Sequence, residues 1–185
     1  MQSGVEVDYK GKRDSFWVKR CDGTCQWLLD RPEYKSWMSN GDDDKPTILW
    51  LHGAPGTGKS ISMAYISRVL PMSVAYCFFD DEDDKLRTAA SCLRSLLTQI
   101  LIQYPKSYNH FLRVAEHGNV KKDTVWTYEM LWQVLSSMAS DAKLSRRICL
   151  ILDATPWAMH AFPQTGRVVP LGERADERTA GQASR

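Results

Sequence analysis

Residues 47–60 read TILWLHGAPGTGKS, an apolar run followed by a glycine-rich turn and a Lys-Ser pair. The last eight residues fit G-x-x-x-x-G-K-[ST], a pattern that holds phosphate groups when it connects a strand to a helix. The apolar run 47–52 predicts a buried strand. Periodic apolar residues over 61–70 predict a helix that Pro71 ends. The order of strand, loop and helix is the one that the pattern requires.

The residue types in this loop suit phosphate binding for physical reasons. Glycines let the backbone adopt positive φ and turn N–H groups toward an anion, at the positive end of the following helix. Lys59 is expected to reach the β and γ phosphates, and Ser60 to ligate the Mg²⁺ that bridges them. We therefore expect phosphate binding by the whole loop: Gly53, Ala54, Pro55, Gly56, Thr57, Gly58, Lys59 and Ser60.

A second apolar run, RICLILD, ends at Asp153. In proteins with this loop, the Asp at the end of such a strand helps to hold Mg²⁺. Buried strands also end in Asp because its side chain supports a turn. The phosphate-binding pattern earlier in the chain favours the metal role, so we predict Mg²⁺ ligands at Ser60 and Asp153.

Strands alternate with helical segments through the middle of the chain. The predicted segments are a helical lead-in within 24–38, strands at 47–52, 73–79 and 148–153, and helices at 61–70, 86–101, 108–116 and 127–139. The acidic run 80–84 is expected to open the helix at 86–101, where it complements the helix dipole. This alternation predicts an α/β fold with a parallel sheet between two helix layers.

Composition excludes several classes of protein. The chain has 185 residues, of which 43% are hydrophobic and 25% charged, so one globular domain is expected rather than wholesale disorder. A formal charge of only +2 gives no field that favours nucleic acid. No apolar stretch reaches the roughly 18 residues of a membrane span, and the N-terminus lacks the layout of a secretory signal. We expect a cytoplasmic protein without membrane or nucleic-acid partners.

Several single residues have two interpretations. The five cysteines are odd in number and irregularly spaced, which favours reduced thiols, and ordinary packing is preferred to a metal site for Cys21 and Cys25. Trp50 and Tyr65 could stack on a base, but core packing is the preferred interpretation. No role is assigned to His52.

Five ordered segments together resemble a known family. They are GTCQWLL with KSWM, then LWLHGAPGTGKS, AYCFFDDEDD, LRTAASCLRSLLTQIL and ICLILDA. Over about residues 20–154 the chain resembles the NACHT-type signalling ATPases of the STAND class in fungal NOD-like receptors and incompatibility proteins, including nephrocystin-like N-terminal regions. The resemblance implies a P-loop NTPase fold and an ATP- or GTP-binding switch, with ATP favoured, that oligomerises when a ligand is sensed.

The chain departs from the family after its acidic strand. Family members continue as D-A-L-D-E, whereas here Asp153 and Ala154 are followed by Thr155, Pro156 and Trp157. The carboxylate that polarises the attacking water is therefore absent, and the resemblance implies weak or absent hydrolysis with no catalytic residue to assign.

The resemblance also divides the chain. We expect a polar N-terminal segment at 1–22, a partial, truncated nucleotide-binding domain at 23–154 and a disordered non-family tail at 155–185. In relatives, the strand after the acidic strand lies beside the loop strand, between it and the Asp strand. The composition of the tail predicts no such strand, so a gap in the sheet is expected.

Two further functions stay open. The first is an interaction module or remnant that binds no nucleotide and pairs with full-length relatives through exposed sheet edges. The second is a compact P-loop kinase, which needs Arg-rich lid segments that the aperiodic tail does not provide. Nucleotide binding is preferred, with self-association or association with full-length NACHT proteins as the expected macromolecular contact.

Overall fold

The computed structural model describes residues 9–39, 47–79, 88–118, 120–121, 124–145, 148–153 and 167–171. The helices are α1 Tyr9–Val18, α2 Gln26–Asp30, α3 Pro32–Ser39, α4 Lys59–Val69, α5 Ala89–Gln103, α6 Tyr108–His117, α7 Tyr128–Ala139 and α8 Ala142–Ser145, with a 3₁₀ turn at Pro105–Ser107. The strands are β1 Thr47–Leu51, β2 Ser73–Phe78, β3 Ile148–Asp153 and β4 Arg167–Leu171. Helices mixed with parallel strand pairs make this an α/β chain.

The chain divides into two compact units. The core unit consists of Met1–Lys19 and Met63–Pro163, and the loop unit of Arg20–Ser62 and Gln164–Arg185. Each unit contains one parallel strand pair. Within the part of the chain that the structure describes, every helix falls short of the length and apolar character that crossing a bilayer requires.

The core unit is built on β2 and β3. Ser73 lies opposite Ile148 in the parallel register, and Phe78 lies opposite Asp153. One face of this pair packs on α5 and α7, whose apolar residues recur at helical spacing as predicted. The fully or nearly buried core residues are Ala75, Cys77, Cys92, Leu93, Leu96, Leu97, Ile100, Leu131, Val134 and Met138.

Helix α5 begins at Ala89, three residues after the predicted start at residue 86. Its N-cap is Thr88, whose hydroxyl accepts a hydrogen bond from the backbone N–H of Ser91 at 3.1 Å. The first turn of the helix contains no acidic residue. A threonine cap supplies the oxygen that the first N–H groups need. The acidic run 80–84 lies outside the described residues, so its place at the start of the helix stays a prediction.

Glutamine side chains of α5 occupy one edge of β2. The Gln99 amide donates to the backbone oxygen of Tyr76 at 2.8 Å and accepts from its N–H at 3.1 Å. One helical turn later, Gln103 donates to the oxygen of Val74 at 3.0 Å. Because Val74 and Tyr76 share one parity along the strand, their peptide groups point to the same edge. Side-chain amides thus replace a neighbouring strand there.

Substitution of Gln99 tests this edge. Gln99 is only 4% exposed, so Gln99→Leu leaves the Tyr76 N–H and C=O buried without their partner. We expect a loss of about 2 to 3 kcal/mol in the free energy of unfolding, measured with denaturant. Gln103→Leu, at an exposed position, is the matched control and should cost less than about 1 kcal/mol. Equal losses in the two variants would contradict this account of the edge.

Helix α1 covers the other face of β2. The rings of Phe16 and Phe78 lie 5.6 Å apart, and the Arg13 guanidinium lies 4.7 Å from the centre of the Tyr76 ring. Phe78 and Tyr76 alternate with the residues that face α5. The prediction of a polar segment at 1–22 therefore missed a helix, because its apolar contacts are made with residues distant in sequence.

Helix α1 also contacts the last turns of α4. Trp17 stacks on Tyr65 with ring centres 6.3 Å apart, and the Arg68 guanidinium lies 4.3 Å from the Trp17 ring centre. Arg68 also makes an ion pair with Asp14 at 2.8 Å. Aromatic area and charge together hold α1 in place.

The charge of Asp14 makes this contact sensitive to acid. Burial raises the pKa of Asp14, but hydrogen bonds and positive charge from Arg68 and Arg13 outweigh it and lower the pKa below its ordinary value of 3.8. A depressed carboxyl pKa stabilises the folded state above the ordinary value, and that contribution is lost as the pH falls through the folded-state pKa.

We expect Asp14→Asn to lower the Tm by about 1 to 3 °C at neutral pH, because exposed ion pairs contribute little. The difference between the two proteins should close as the pH falls below 3.8. Thermal melts across this range measure both effects. Asp30→Asn, which removes a looser 3.9 Å contact with Lys35, is the control. A Tm difference for Asp14→Asn that persists in acid would contradict the ionic origin.

The loop unit contains a strand that was not predicted. β1 and β4 pair in parallel, with Thr47 opposite Arg167 and Trp50 opposite Pro170. The expectation that the tail provides no strand is therefore wrong at β4. Two adjacent valines favour extended structure, and the missing N–H of Pro170 is tolerated because, among the described strands, β4 bonds to β1 alone. The remainder of the tail lies outside the described residues.

Candidate functional site

The glycine-rich loop, residues 53–58, connects β1 directly to α4. Gly56 and Gly58 have left-handed backbone, with φ of 81° and 86°. A Cβ atom built at either position meets no other atom within 4 Å. Glycine is therefore required at these two positions by the backbone conformation and not by lack of space.

Lys59 folds back over this loop. Its ammonium donates to the backbone oxygens of Gly53 at 2.9 Å and Ala54 at 2.7 Å. The Thr57 hydroxyl donates to the same Ala54 oxygen at 2.9 Å. Because an ammonium has three N–H donors, these two carbonyls fix the charge and leave a third donor for an anion. Thr57 was predicted only as a loop member, and its bracing bond is visible only in the structure.

The first turn of α4 adds backbone donors. Lys59 and Ser60 are its first two residues, and the N–H of Ser62 donates to the oxygen of Gly58 at 2.9 Å. The N–H groups at the start of a helix have no partner within the helix and carry the positive end of its dipole. Together with Lys59, they form a donor set whose chemistry fits a phosphate group, with the Ser60 hydroxyl available to a hard cation.

The strand β3, predicted to be buried, is only partly so: Ile151 is buried but Leu150 is 41% exposed. Asp153 lies at the end of this strand, as predicted. It is half-buried at the end of β3, and its backbone oxygen accepts from the N–H of Phe79 at 2.9 Å. Asp153 belongs to the core unit and Ser60 to the loop unit, so their shared Mg²⁺ stays a prediction. Within the described ranges, no three His, Cys, Asp or Glu side chains gather as a metal-binding group.

The aromatic residues near the loop behave differently from each other. Tyr65 is buried, as the core interpretation predicted. Trp50 is 49% exposed, so that interpretation is wrong for it. Its ring packs edge-on against His52, with ring centres 6.1 Å apart.

Cys25, in the segment before β1, contacts helix α4. The Cys25 thiol lies 3.8 Å from the Ser62 hydroxyl, and both side chains are buried. All five cysteines are free thiols. Sequence patterns do not predict this contact beyond the apolar character of the lead-in, since Cys25 and Ser62 are distant along the chain.

Comparison with known proteins identifies the family. The family model described as Nephrocystin 3, N-terminal matches residues 23–155, and the chain belongs to this family. It is 28% identical over 151 residues to vegetative incompatibility protein HET-E-1 of Podospora anserina. These findings confirm the resemblance to NACHT-related fungal incompatibility proteins.

The alignment with that protein takes in 77% of this chain but 11% of the fungal protein. The chain therefore spans about a tenth of the length of its curated relative. No solved structure matches the chain significantly.

Substitution of Gly58 tests the backbone requirement of the loop. We expect Gly58→Ala to cost about 1 to 2 kcal/mol in the free energy of unfolding, because an L-residue is strained at this φ. Gly58→Asn introduces a larger side chain but should cost less, since Asn tolerates left-handed backbone and the surrounding space is open. Denaturant unfolding compares the two variants. A larger loss for Asn than for Ala would contradict a conformational origin.

Proposed function

We propose that this chain is the nucleoside-triphosphate-binding part of a NACHT-related signalling protein, and that it binds Mg-ATP in preference to Mg-GTP. The observation that carries the proposal is the position of Lys59. Two loop carbonyls hold its ammonium beside the backbone donors of a helix N-terminus. A fixed cation next to oriented N–H groups is the donor set that polyphosphate binding needs.

Each residue of the loop then has a definite role. The backbone of residues 53–60 wraps the phosphates, and the remaining N–H of Lys59 donates to a β or γ oxygen. The Ser60 hydroxyl and the Asp153 carboxylate would hold Mg²⁺. When bound, Mg²⁺ supplies neutralisation of the phosphate charge.

The proposal includes a P-loop NTPase fold. The resemblance implies that the strand following the acidic strand lies beside the loop strand. In this chain β4 follows β3 in sequence and pairs in parallel with β1. That pairing supports the proposed fold, since it puts a later strand beside the strand that leads into the loop.

Hydrolysis is expected to be slow. After Asp153 the chain continues with Ala, Thr and Pro instead of the further acids of the family. Without a carboxylate to orient the attacking water, bound nucleotide should persist, because positioning supplies much of the rate in phosphoryl transfer. Slow turnover suits a switch that stays loaded in the cytoplasm until it associates with other copies or with full-length relatives.

The interaction-module alternative receives less support. It needs exposed strand edges for pairing, yet the outer edge of β2 is occupied by Gln99 and Gln103. One edge of β1 is paired with β4. Strand addition at either of these two edges would have to displace existing hydrogen bonds.

Substitution of Lys59 tests the proposed function. Mg-ATP at about 100 times its Kd should stabilise the parent protein by about 2.7 kcal/mol in a thermal melt. Lys59→Ala should weaken binding by about 10- to 100-fold, since a charge-assisted hydrogen bond contributes about 1.5 to 3 kcal/mol. Lys35→Ala, at an exposed position of α3 in the same unit, is the matched control and should bind like the parent.

Titrations with Mg-GTP and ADP and an assay of phosphate release complete the test. A parent protein that no nucleotide stabilises, or a Lys59→Ala variant that binds as well as the parent, would overturn the proposal. Concentration-dependent self-association without a nucleotide response would then favour the interaction module.

A further inference from the structure

The lead-in turn, residues 20–25, has an unusual backbone. Gly23 is left-handed with φ of 76°, and the N–H of Thr24 donates to the oxygen of Cys21 at 3.2 Å. Among the residues that the structure describes, Cys25 is the one non-glycine residue with left-handed backbone, at φ of 69°. Such a conformation persists only where surrounding contacts over-determine it.

Arg20 holds this turn in shape. Its guanidinium donates to the backbone oxygens of Cys21 at 3.1 Å and Thr24 at 3.4 Å. It also makes an ion pair with Asp22 at 3.0 Å. These contacts fix the approach of the chain to Cys25 before α2 begins.

Cys25 is fixed from its other side by α2. Its backbone oxygen accepts from the N–H of Leu28 at 3.2 Å, and Leu28 is completely buried. The thiol is therefore held in one position, 3.8 Å from the hydroxyl of Ser62. Both residues are about 95% buried, so solvent does not compete for the contact.

Ser62 connects this contact to the candidate site. It lies in the first turn of α4, two residues after Ser60, and its N–H donates to the oxygen of Gly58 at 2.9 Å. Gly58 is the left-handed residue that ends the glycine-rich loop. A shift of Ser62 would therefore move the backbone that carries Lys59 and Ser60.

Glycine at position 25 would adopt the same φ without strain. What glycine lacks is the thiol. The strained backbone at Cys25 is thus explained if its thiol is needed in contact with helix α4.

We infer that Cys25 is a positioning residue of the proposed nucleotide site: through Ser62 its thiol holds the first turn of α4, so that Ser60 and the loop backbone meet Mg²⁺ and phosphate in register. The inference rests on the proposed function. It predicts that a substitution which relieves the backbone strain at position 25 still lowers the Mg²⁺-dependent affinity.

That substitution is Cys25→Gly in the full chain. The variant relieves the strained φ, so its Tm should equal or exceed that of Cys25→Ala, in which the strain remains. Its Kd for Mg-ATP should rise by roughly tenfold, as for loss of an outer-shell partner of a metal site. Affinity for ATP measured in EDTA should change little, because the substitution removes only the contribution to affinity that depends on Mg²⁺.

Three further variants make the test specific. Cys25→Ser keeps a polar atom near Ser62 and should retain most of the Mg²⁺-dependent affinity. Ser62→Ala should weaken Mg-ATP binding as Cys25→Gly does, and the double variant should lose no more than either alone. Cys92→Ala removes an equally buried thiol from the core unit, and should lower the Tm without changing the Kd.

The outcomes separate the inference from the function on which it rests. If the parent fails to bind Mg-ATP, the proposed function and this inference both fail. If the parent binds and Cys25→Gly and Ser62→Ala keep its Kd and its Mg²⁺ dependence, the inference alone is overturned. Additive losses in the double variant would also overturn it, because two residues acting through one contact are not independent.

Discussion

The left-handed backbone of Gly56 and Gly58 is the constraint on which the candidate site depends. It turns the chain sharply from β1 into α4, and so brings the Lys59 ammonium against the carbonyls at the start of the same loop. Those carbonyls would otherwise face solvent, and the lysine would be a mobile surface charge. The turn therefore converts an ordinary cation into a fixed one beside the first N–H groups of a helix.

The two units satisfy the backbone hydrogen-bonding groups of their strands in different ways. In the core unit, the free edge of β2 is satisfied by Gln99 and Gln103 of α5, so side-chain amides imitate a neighbouring strand. In the loop unit, β4 supplies backbone pairing to β1. Both devices use hydrogen-bonding groups that an open edge would offer to another chain.

The chain belongs to the Nephrocystin 3, N-terminal family. The chain aligns with about a tenth of a much longer fungal protein. Under the proposed function, the change of sequence after Asp153 would separate nucleotide binding from turnover. A loop that holds phosphate without a base for water would report nucleotide occupancy more than consume nucleotide.

The sequence by itself determined the elements whose signals are local. The loop pattern at 53–60, the apolar strands and the periodic helices α5 and α7 follow from turn chemistry and side-chain spacing within a few residues. Tertiary structure alone decided the docking of α1, the pairing of β4, the exposure of Trp50 and the contact of Cys25 with Ser62. Each of these depends on a partner far along the chain, and local periodicity carries no information about which distant surface a segment will meet.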